Sequence, residues 1–189
     1  LAIPQKTADD KSDSGEVLLV VGAAGGVGSI LLQLAKSLTN ATVIATASRE
    51  SSKQWVTKLG ADYVVDHTKP LAPQIKTLSE QESLGAVTHV ASLNNTDKYL
   101  EAFVEVMAPM GKLGLIDDPK SLDIGALKMK SISLHWEFMF TRSMFQTQDM
   151  DYQHQLLTRV AALVDEGVIQ TTVGKHLGAI NAANLKAAH

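Results

Sequence analysis

The sequence predicts an α/β protein built on a doubly wound parallel sheet with helices on both faces. Apolar runs that suit strands alternate with helical segments from Glu16 to beyond Leu115, and this alternation requires crossover connections that make the strands parallel. Hydrophobic residues make up 45% of the 189 residues, which is enough for the core of one domain. A glycine-rich turn follows the first apolar run, at the edge where open parallel sheets bind ligands.

The predicted strands are short apolar or β-prone runs. The first, EVLLVVG, is continuously apolar and stops at Gly22, as expected of a strand that is buried on both faces. The predicted strands are residues 16–22, 41–47, 62–67, 86–92, 112–117 and 131–140.

The predicted helices carry apolar residues at helical spacing, and several stop at a glycine. Gly60, Gly111 and Gly167 stand where three of them end, and Asn181 is placed to cap the last. Residues 172–178 suit a short strand or a loop. The predicted helices are residues 27–39, 51–61, 71–82, 96–111, 151–167 and a segment after Asn181.

Composition excludes several classes of function. A net charge of -3 argues against a nucleic-acid or anionic-membrane partner, and the absence of cysteine excludes disulfides and cysteine-based zinc clusters. No apolar run reaches the ~20 residues of a membrane span, and residues 1–15 are too polar to suit a signal peptide, so we expect a cytoplasmic protein. We interpret residues 1–15 as the remnant of a linker and 16–189 as one domain, and both ends indicate a piece of a longer chain.

The glycine turn is the strongest functional signal in the sequence. Its spacing is A-x-G-x-x-G at Ala23, Gly25 and Gly28, or G-x-x-G-x-x-G if counted from Gly22. A turn without side chains lets backbone N–H groups and a helix N-terminus approach a pyrophosphate. The alternative is a tight turn that binds nothing, but the position between a first strand and a first helix favours a Rossmann-type dinucleotide site. Ser29 after Gly28 does not fit a Walker-type phosphate loop.

The end of the second predicted strand favours NADP(H) over NAD. An NAD site usually places an acid there to bind the ribose, whereas this chain has Ala47 followed by Ser48, Arg49 and, one turn on, Lys53. A guanidinium can form a forked pair with the 2′-phosphate, and the hydroxyl and ammonium groups can add hydrogen bonds and charge. The alternative is that Arg49 and Lys53 are solvated charges beside Glu50.

The stretches GAAGGVGSILLQLAK, VIATASR, LGADYVVDH and GKLGLIDDP occur in an order that resembles the medium-chain dehydrogenase/reductase superfamily, and most of all its quinone-oxidoreductase-like branch. KSISLHWEFMFTRSMFQT more narrowly resembles bacterial zinc-type alcohol dehydrogenase-like proteins. The resemblance covers nearly the whole chain. It implies that the chain is the nucleotide-binding domain alone, and that an N-terminal GroES-like catalytic domain is absent from it.

The resemblance also implies a reaction. In this family a hydride passes between the nicotinamide and a carbonyl, quinone or activated alkene in a cleft between the two domains. The quinone-reductase branch works without zinc, and we therefore predict no metal. We expect the full-length parent to be an oxidoreductase with a small-molecule substrate, and this chain alone to be inactive.

Site residues follow from the resemblance position by position. Five residues of the glycine turn would hold the pyrophosphate: Ala24, Gly25, Gly26, Val27 and Gly28. Ser48, Arg49 and Lys53 would hold the adenosine phosphate. His67 stands by the adenosine end, where quinone reductases often carry Tyr, and this substitution leaves its role open.

The later strands would supply the rest of the site. These residues are Leu93 and Asn94 near the adenine and ribose, Ile116 and Asp117 near the nicotinamide, and Phe138 and Phe140 as a wall of the nicotinamide pocket. Each has an alternative interpretation: DDP at 117–119 is also a turn signal, and phenylalanines such as Phe138 and Phe140 more often belong to a core or an interface than to a cofactor site. His89 and His135 are expected to be packing residues, and no catalytic residue is assigned.

The run at 131–140 is predicted to be an edge strand, and exposed edges invite pairing. Because dimers of this superfamily commonly join such edges, we predict a homodimer.

Two other functions stay open: a nucleotide-binding or redox-sensing module without catalysis, and a methyltransferase, which Ala47 disfavours because methyltransferases normally keep an acid there.

Overall fold

The computed structural model describes residues 3–6 and 15–188. Six strands form one sheet in the order β3-β2-β1-β4-β5-β6, and every neighbouring pair is parallel. The strands are β1 (Val17–Val21), β2 (Thr42–Thr46), β3 (Tyr63–Val65), β4 (Val87–Ser92), β5 (Met107–Leu115) and β6 (Ser133–Trp136). The predicted fold class is confirmed, because the strand order reverses at β1 and β4 as in a doubly wound sheet.

Helices cover both faces of this sheet. The helices in the described ranges are α1 (Gly26–Leu38), α2 (Glu50–Lys58), α3 (Leu71–Glu82), α4 (Thr96–Val106), α5 (Thr141–Phe145), α6 (Tyr152–Asp165) and α7 (Ala182–Ala188), with a 3₁₀ helix at Ile124–Lys130. Helices α5, α6 and α7 bury none of their residues and do not cover the sheet. The helices α1 and α2 pack on one face, and α3, α4 and the 3₁₀ helix pack on the other. None of the helices in the described ranges is long and apolar enough to cross a bilayer.

Strand β1 lies at the centre of the core, as its continuous apolar run predicts. All five of its residues are buried, and alternate side chains face opposite layers. Leu18 and Val20 pack toward α1 and α2, whereas Val17, Leu19 and Val21 pack toward α3 and α4. This central position places the turn after β1 at the middle of the carboxyl edge of the sheet.

The helix predicted at 96–111 is wrong at its C-terminal end. Helix α4 stops at Val106, and β5 starts at Met107 rather than at 112. Pro109 has no N–H to continue the helix and disfavours helical backbone at the residue before it. Met110 has a φ of +64°, and the β4–β5 register shifts between Val87 and His89, so the new part of β5 is irregular.

The region after β5 also departs from the prediction. Strand β6 ends at Trp136, so residues 137–140 leave the sheet, and the 3₁₀ helix and α5 were not predicted. Residues 172–178 form a loop. Asn181 caps α7 as predicted, because its Oδ1 accepts the N–H of Asn184 at 2.8 Å. The predicted linker at 1–15 falls mostly outside the described residues; within it, Gln5 pairs with Thr39 in an isolated antiparallel bridge.

Candidate functional site

The turn after β1 presents backbone to the carboxyl edge of the sheet. Gly22 has a φ of +78°, which favours glycine, and its carbonyl accepts the N–H of Gly25 at 3.1 Å. Gly25 is the N-cap of α1, and no side chain caps the first turn of this helix. Gly25, Gly26 and Val27 are exposed. The turn therefore offers N–H groups and a helix N-terminus to an anionic ligand.

Gly28 lets α1 approach β1 closely. A Cβ at this position would lie 2.4 Å from the carbonyl oxygen of Ala23, well inside contact distance. The residue is buried in the first turn of α1. This is the packing role that the sequence predicts for the third glycine of the pattern. Gly22 is similarly close to a neighbour, since a Cβ there would lie 3.1 Å from Oδ1 of Asn94.

The end of β2 carries the predicted phosphate-binding residues. Ala47 stands where an NAD site would usually have an acid. It is buried, and it donates its N–H to the carbonyl of Val65 at 3.0 Å. Arg49 is the exposed N-cap residue of α2, and its carbonyl accepts the N–H of Lys53 at 2.9 Å. Ser48, just before it, is half-buried. Arg49 and Lys53 thus lie one helical turn apart at the carboxyl edge.

An aspartate, Asp66, lies near Lys53 at the end of β3. Two hydrogen bonds from Thr68, one from its hydroxyl and one from its N–H, lower the pKa of Asp66, and the nearby charges of Lys53 and Lys69 lower it further. Asp66 is therefore ionised and lies in the electrostatic range of Lys53. His67 follows it, half-buried, and its carbonyl accepts the hydroxyl of Tyr99 at 3.4 Å. Sequence reasoning missed Asp66.

The loops after β4 and β5 form the other half of the site. Leu93 N–H is donated to the carbonyl of Val21 at 3.1 Å, and Ile116 N–H to the carbonyl of Ser92 at 3.3 Å, so these loops continue the sheet past its last strand residues. Asp117 is half-buried, and both of its carboxylate oxygens accept hydrogen bonds from Thr96.

An apolar cleft of about 380 Å³ adjoins these loops. It runs along one face of α1 as far as Leu38 and Thr39 at the far end of that helix, and Leu93 and Ile116 lie on its other side at the carboxyl edge of the sheet. Val27 of the glycine turn also lines it. Val27, Leu93 and Ile116 therefore line one cleft, although the sequence assigns them to the pyrophosphate, to the adenine and ribose, and to the nicotinamide, respectively.

Phe138 and Phe140 do not line this cleft. Their rings form an edge-to-face pair with centroids 5.6 Å apart, and each residue is 53% exposed. Glu137, immediately before them, does line the cleft, and its N–H is donated to the carbonyl of Leu115 at 3.0 Å. The two phenylalanines follow Glu137 in the chain and lie outside the residues that line the cleft.

The fold and the glycine turn define a Rossmann-type dinucleotide-binding domain. The sequence profile of the family described as zinc-binding dehydrogenase matches residues 26–158. This chain belongs to that family. The predicted resemblance to the medium-chain dehydrogenase/reductases is thereby confirmed.

Individual proteins agree with the family. The chain is 35% identical over 178 residues to a zinc-type alcohol dehydrogenase-like protein of Staphylococcus aureus (strain MSSA476), covering 94% of this chain and 52% of that protein. It is 49% identical, with a TM-score of 0.85, to a Rhizobium etli CFN 42 protein assigned as a zinc-dependent alcohol dehydrogenase, covering 95% of this chain and 52% of the other. Escherichia coli quinone oxidoreductase, solved with NADPH, shares the fold at 23% identity and a TM-score of 0.67, covering 85% of this chain and 48% of that one.

The chain spans about half the length of the curated relatives it matches. Family membership and the open glycine turn together support binding of a nicotinamide cofactor. The family description names zinc, but within residues 3–6 and 15–188 no group of three or more His, Asp or Glu side chains is placed to hold a metal ion. The described residues therefore do not fit a zinc site of their own.

Proposed function

We propose that this chain is the cofactor-binding domain of an NADP(H)-dependent oxidoreductase that transfers hydride between nicotinamide and a carbonyl, quinone or activated alkene. The observation that carries the choice of NADP(H) is the end of β2, where Ala47 replaces the usual acid and Arg49 and Lys53 lie one turn apart. Arg49 makes no side-chain hydrogen bond or ion pair within the described part of the chain, which leaves its guanidinium available to a 2′-phosphate.

The chain's residues contribute binding and orientation. The first turn of α1 would hold the pyrophosphate through backbone N–H groups, and Gly28 keeps that helix against β1. The bound nicotinamide supplies the hydride chemistry. The apolar walls formed by Val27, Leu93 and Ile116 would receive its ring and exclude water from one side.

No proton donor is assigned in this domain, and fixing the position of the cofactor would be its catalytic contribution. We therefore expect the chain alone to bind the cofactor without turnover, and the full-length parent to catalyse the reaction. Turnover by the parent would distinguish this function from a redox-sensing module that binds the same cofactor.

Titration of the chain with NADPH and with NADH, followed by nicotinamide fluorescence, tests the proposal. A charge-assisted contact is worth about 1.5–3 kcal/mol, so NADPH should bind on the order of ten- to a hundredfold more tightly. Arg49→Ala should remove most of this preference, whereas Lys58→Ala, which removes a cation from the far end of α2, should not. Equal affinity for the two cofactors would refute NADP(H) specificity, and binding of neither would refute the dinucleotide site.

We also propose that the protein forms a homodimer through β6. This strand pairs with β5 on one side only and forms one edge of the sheet. Trp136 is 57% exposed, and the Phe138–Phe140 pair continues the apolar surface. Sedimentation velocity at micromolar concentrations tests this proposal, and a monomer at every concentration would contradict it.

A further inference from the structure

The N-terminus of α4 is capped by a residue from another loop. Asn95 occupies the N-cap position with a φ of +51°, and its side chain makes no capping hydrogen bond. Instead Asp117, 21 residues away, accepts the N–H of Thr96 through Oδ2 at 2.8 Å and the hydroxyl of Thr96 through Oδ1. A carboxylate at a helix N-terminus is favoured both by the helix dipole and by these charge-assisted bonds.

The capping contact extends into the sheet. The hydroxyl oxygens of Ser92, the last residue of β4, and Thr96 lie 2.7 Å apart in a hydrogen bond, and both residues are fully buried. The carbonyl of Ser92 also accepts the N–H of Ile116, the neighbour of Asp117. Ser92, Thr96 and Asp117 therefore tie together the end of β4, the start of α4 and the loop after β5.

This network adjoins the side of the apolar cleft that Leu93 and Ile116 form. Leu93 follows Ser92, and Ile116 precedes Asp117, and both line the cleft. The carboxylate of Asp117 is turned to the helix, with each oxygen already accepting a hydrogen bond. The resemblance to the dehydrogenases placed Asp117 near the nicotinamide; the contacts of its carboxylate are with Thr96.

We propose that Asp117 is a positioning residue, which fixes the loops of the nicotinamide half of the site through Thr96 and Ser92 without contacting the cofactor itself. The inference rests on the proposed function, because it concerns the same cleft. Its consequence is a separation between the two halves of the site. Because Leu93 lines the same cleft as Ile116, this proposal assigns Leu93 to the nicotinamide half instead of the adenine side that the resemblance implied. The adenosine half is then built on β1, β2 and α1 and does not include the network.

Two ligands separate the halves in solution. NADPH needs both halves, whereas 2′,5′-ADP carries only the adenosine phosphates. In Asp117→Ala we expect NADPH to bind roughly tenfold more weakly, as for the loss of a charge-assisted bond, and 2′,5′-ADP to bind as in the wild type. The preference for NADPH over NADH should stay unchanged, because the 2′-phosphate contacts are intact.

Variants with graded chemistry extend the test. Asp117→Asn can still accept the Thr96 N–H through Oδ1 and can donate its amide N–H₂ to the Thr96 hydroxyl, but it lacks the charge, so it should fall between Asp117→Ala and wild type while preserving the fold. Thr96→Ser keeps the hydroxyl and should bind NADPH normally, whereas Thr96→Val should resemble Asp117→Ala. Asp118→Ala is the matched control, since Asp118 is exposed and makes no side-chain hydrogen bond or ion pair with the described residues.

Hydrogen exchange without ligand completes the design. Loss of Asp117 should speed amide exchange in residues 93–96 and 116–118, with no change in residues 22–29. Unchanged exchange in the two loops would overturn the positioning role, and weaker NADPH binding with unchanged exchange would show direct contact with the cofactor. Equal weakening of NADPH and 2′,5′-ADP would also overturn it. If the wild type binds neither ligand, the proposed function fails, and the exchange rates still decide the role of Asp117.

Discussion

The two edges of the sheet use polar groups in different ways. At the carboxyl edge, the turn after β1 presents backbone N–H groups that no side chain caps, and Arg49 after β2 is exposed and makes no side-chain hydrogen bond or ion pair in the described ranges. At the amino edge, Asp62 accepts the N–H of Val43 at 2.9 Å and forms an ion pair with Lys36. The glycine turn and Arg49 thus leave polar groups without a partner in the described ranges at the carboxyl edge, whereas Asp62 at the amino edge is bonded within the fold.

Burial makes the contrast sharper. His89, near the start of β4, is 4% exposed, and its Nδ1 lies 3.1 Å from a carboxylate oxygen of Glu16. Thr88 beside it receives the N–H of Val17 at 3.0 Å. These groups are enclosed by their own chain, so their substitution should change stability and leave cofactor affinity intact. The substitutions below test this division.

The largest expected effect is at the carboxyl edge. Gly28→Ala would place a Cβ 2.4 Å from the backbone carbonyl oxygen of Ala23, which cannot rotate away. We expect a loss of roughly 3 kcal/mol in the free energy of unfolding, as for overpacking of a rigid site, together with loss of NADPH binding as α1 moves. Urea denaturation followed by circular dichroism measures the first quantity, and fluorescence titration the second.

Gly26→Ala is the control for this substitution. A Cβ at Gly26 meets no atom within 4 Å, so this variant should keep the stability of the wild type or exceed it by up to about 1 kcal/mol. Equal destabilisation by the two alanines would show that general glycine flexibility, rather than close packing at residue 28, matters in the turn.

Features with a local cause could be predicted from the sequence. The glycine turn could be predicted because the lack of side chains at Gly22, Gly25 and Gly28 itself allows the backbone conformation of the turn and the close approach of α1 to β1. Strand β1 was found because five consecutive apolar residues have no exposed face. In both cases neighbouring residues in the chain carry the whole physical signal.

Features that depend on distant contacts could not be predicted. The contact between Thr96 and Asp117 joins residues 21 apart, and neither residue type signals it. The end of α4 has both kinds of cause: Pro109 is a local helix breaker that the apolar spacing past Val106 concealed, whereas the sheet pairing that places Met107 in β5 is tertiary. Lys130 donates a hydrogen bond to the carbonyl of Met107 at 2.7 Å. Lys130 belongs to the 3₁₀ helix, which no periodic pattern in the sequence predicts.

A smaller effect is expected at the amino edge from Asp62→Ala. The substitution removes the acceptor of the Val43 N–H and the partner of Lys36. We expect a loss of about 1–2 kcal/mol in unfolding free energy, mostly from the unsatisfied N–H, because a partly exposed ion pair adds little. NADPH affinity should stay within twofold of wild type.

Glu101→Ala provides the reference for that measurement. Glu101 is exposed on α4 and has no side-chain partner among the described residues, so its removal should change stability by less than about 0.5 kcal/mol. If Asp62→Ala instead weakened NADPH binding strongly, the separation of the two edges would be incorrect.

The smallest expected effect is a pH dependence that arises at His89. Burial lowers the pKa of this imidazole from its ordinary value of 6.5, with Lys112 acting in the same direction and Glu16 opposing it. The unfolded chain therefore takes up a proton as pH falls through 6.5 while the folded chain resists it. The stabilising contribution is complete above pH 6.5 and is lost as the pH falls through the lower folded pKa.

Melting temperatures between pH 7.5 and 5.5 measure this loss. His89→Gln cannot titrate, so its melting temperature should fall less over this range than that of the wild type, whatever its absolute stability. His154→Gln, an exposed position on α6, should reproduce the wild-type slope. Identical slopes for all three proteins would mean that the folded chain protonates His89 as readily as the unfolded chain does. Burial at the amino edge would then not protect His89 from protonation, and this result would contradict the proposed contrast between the two edges.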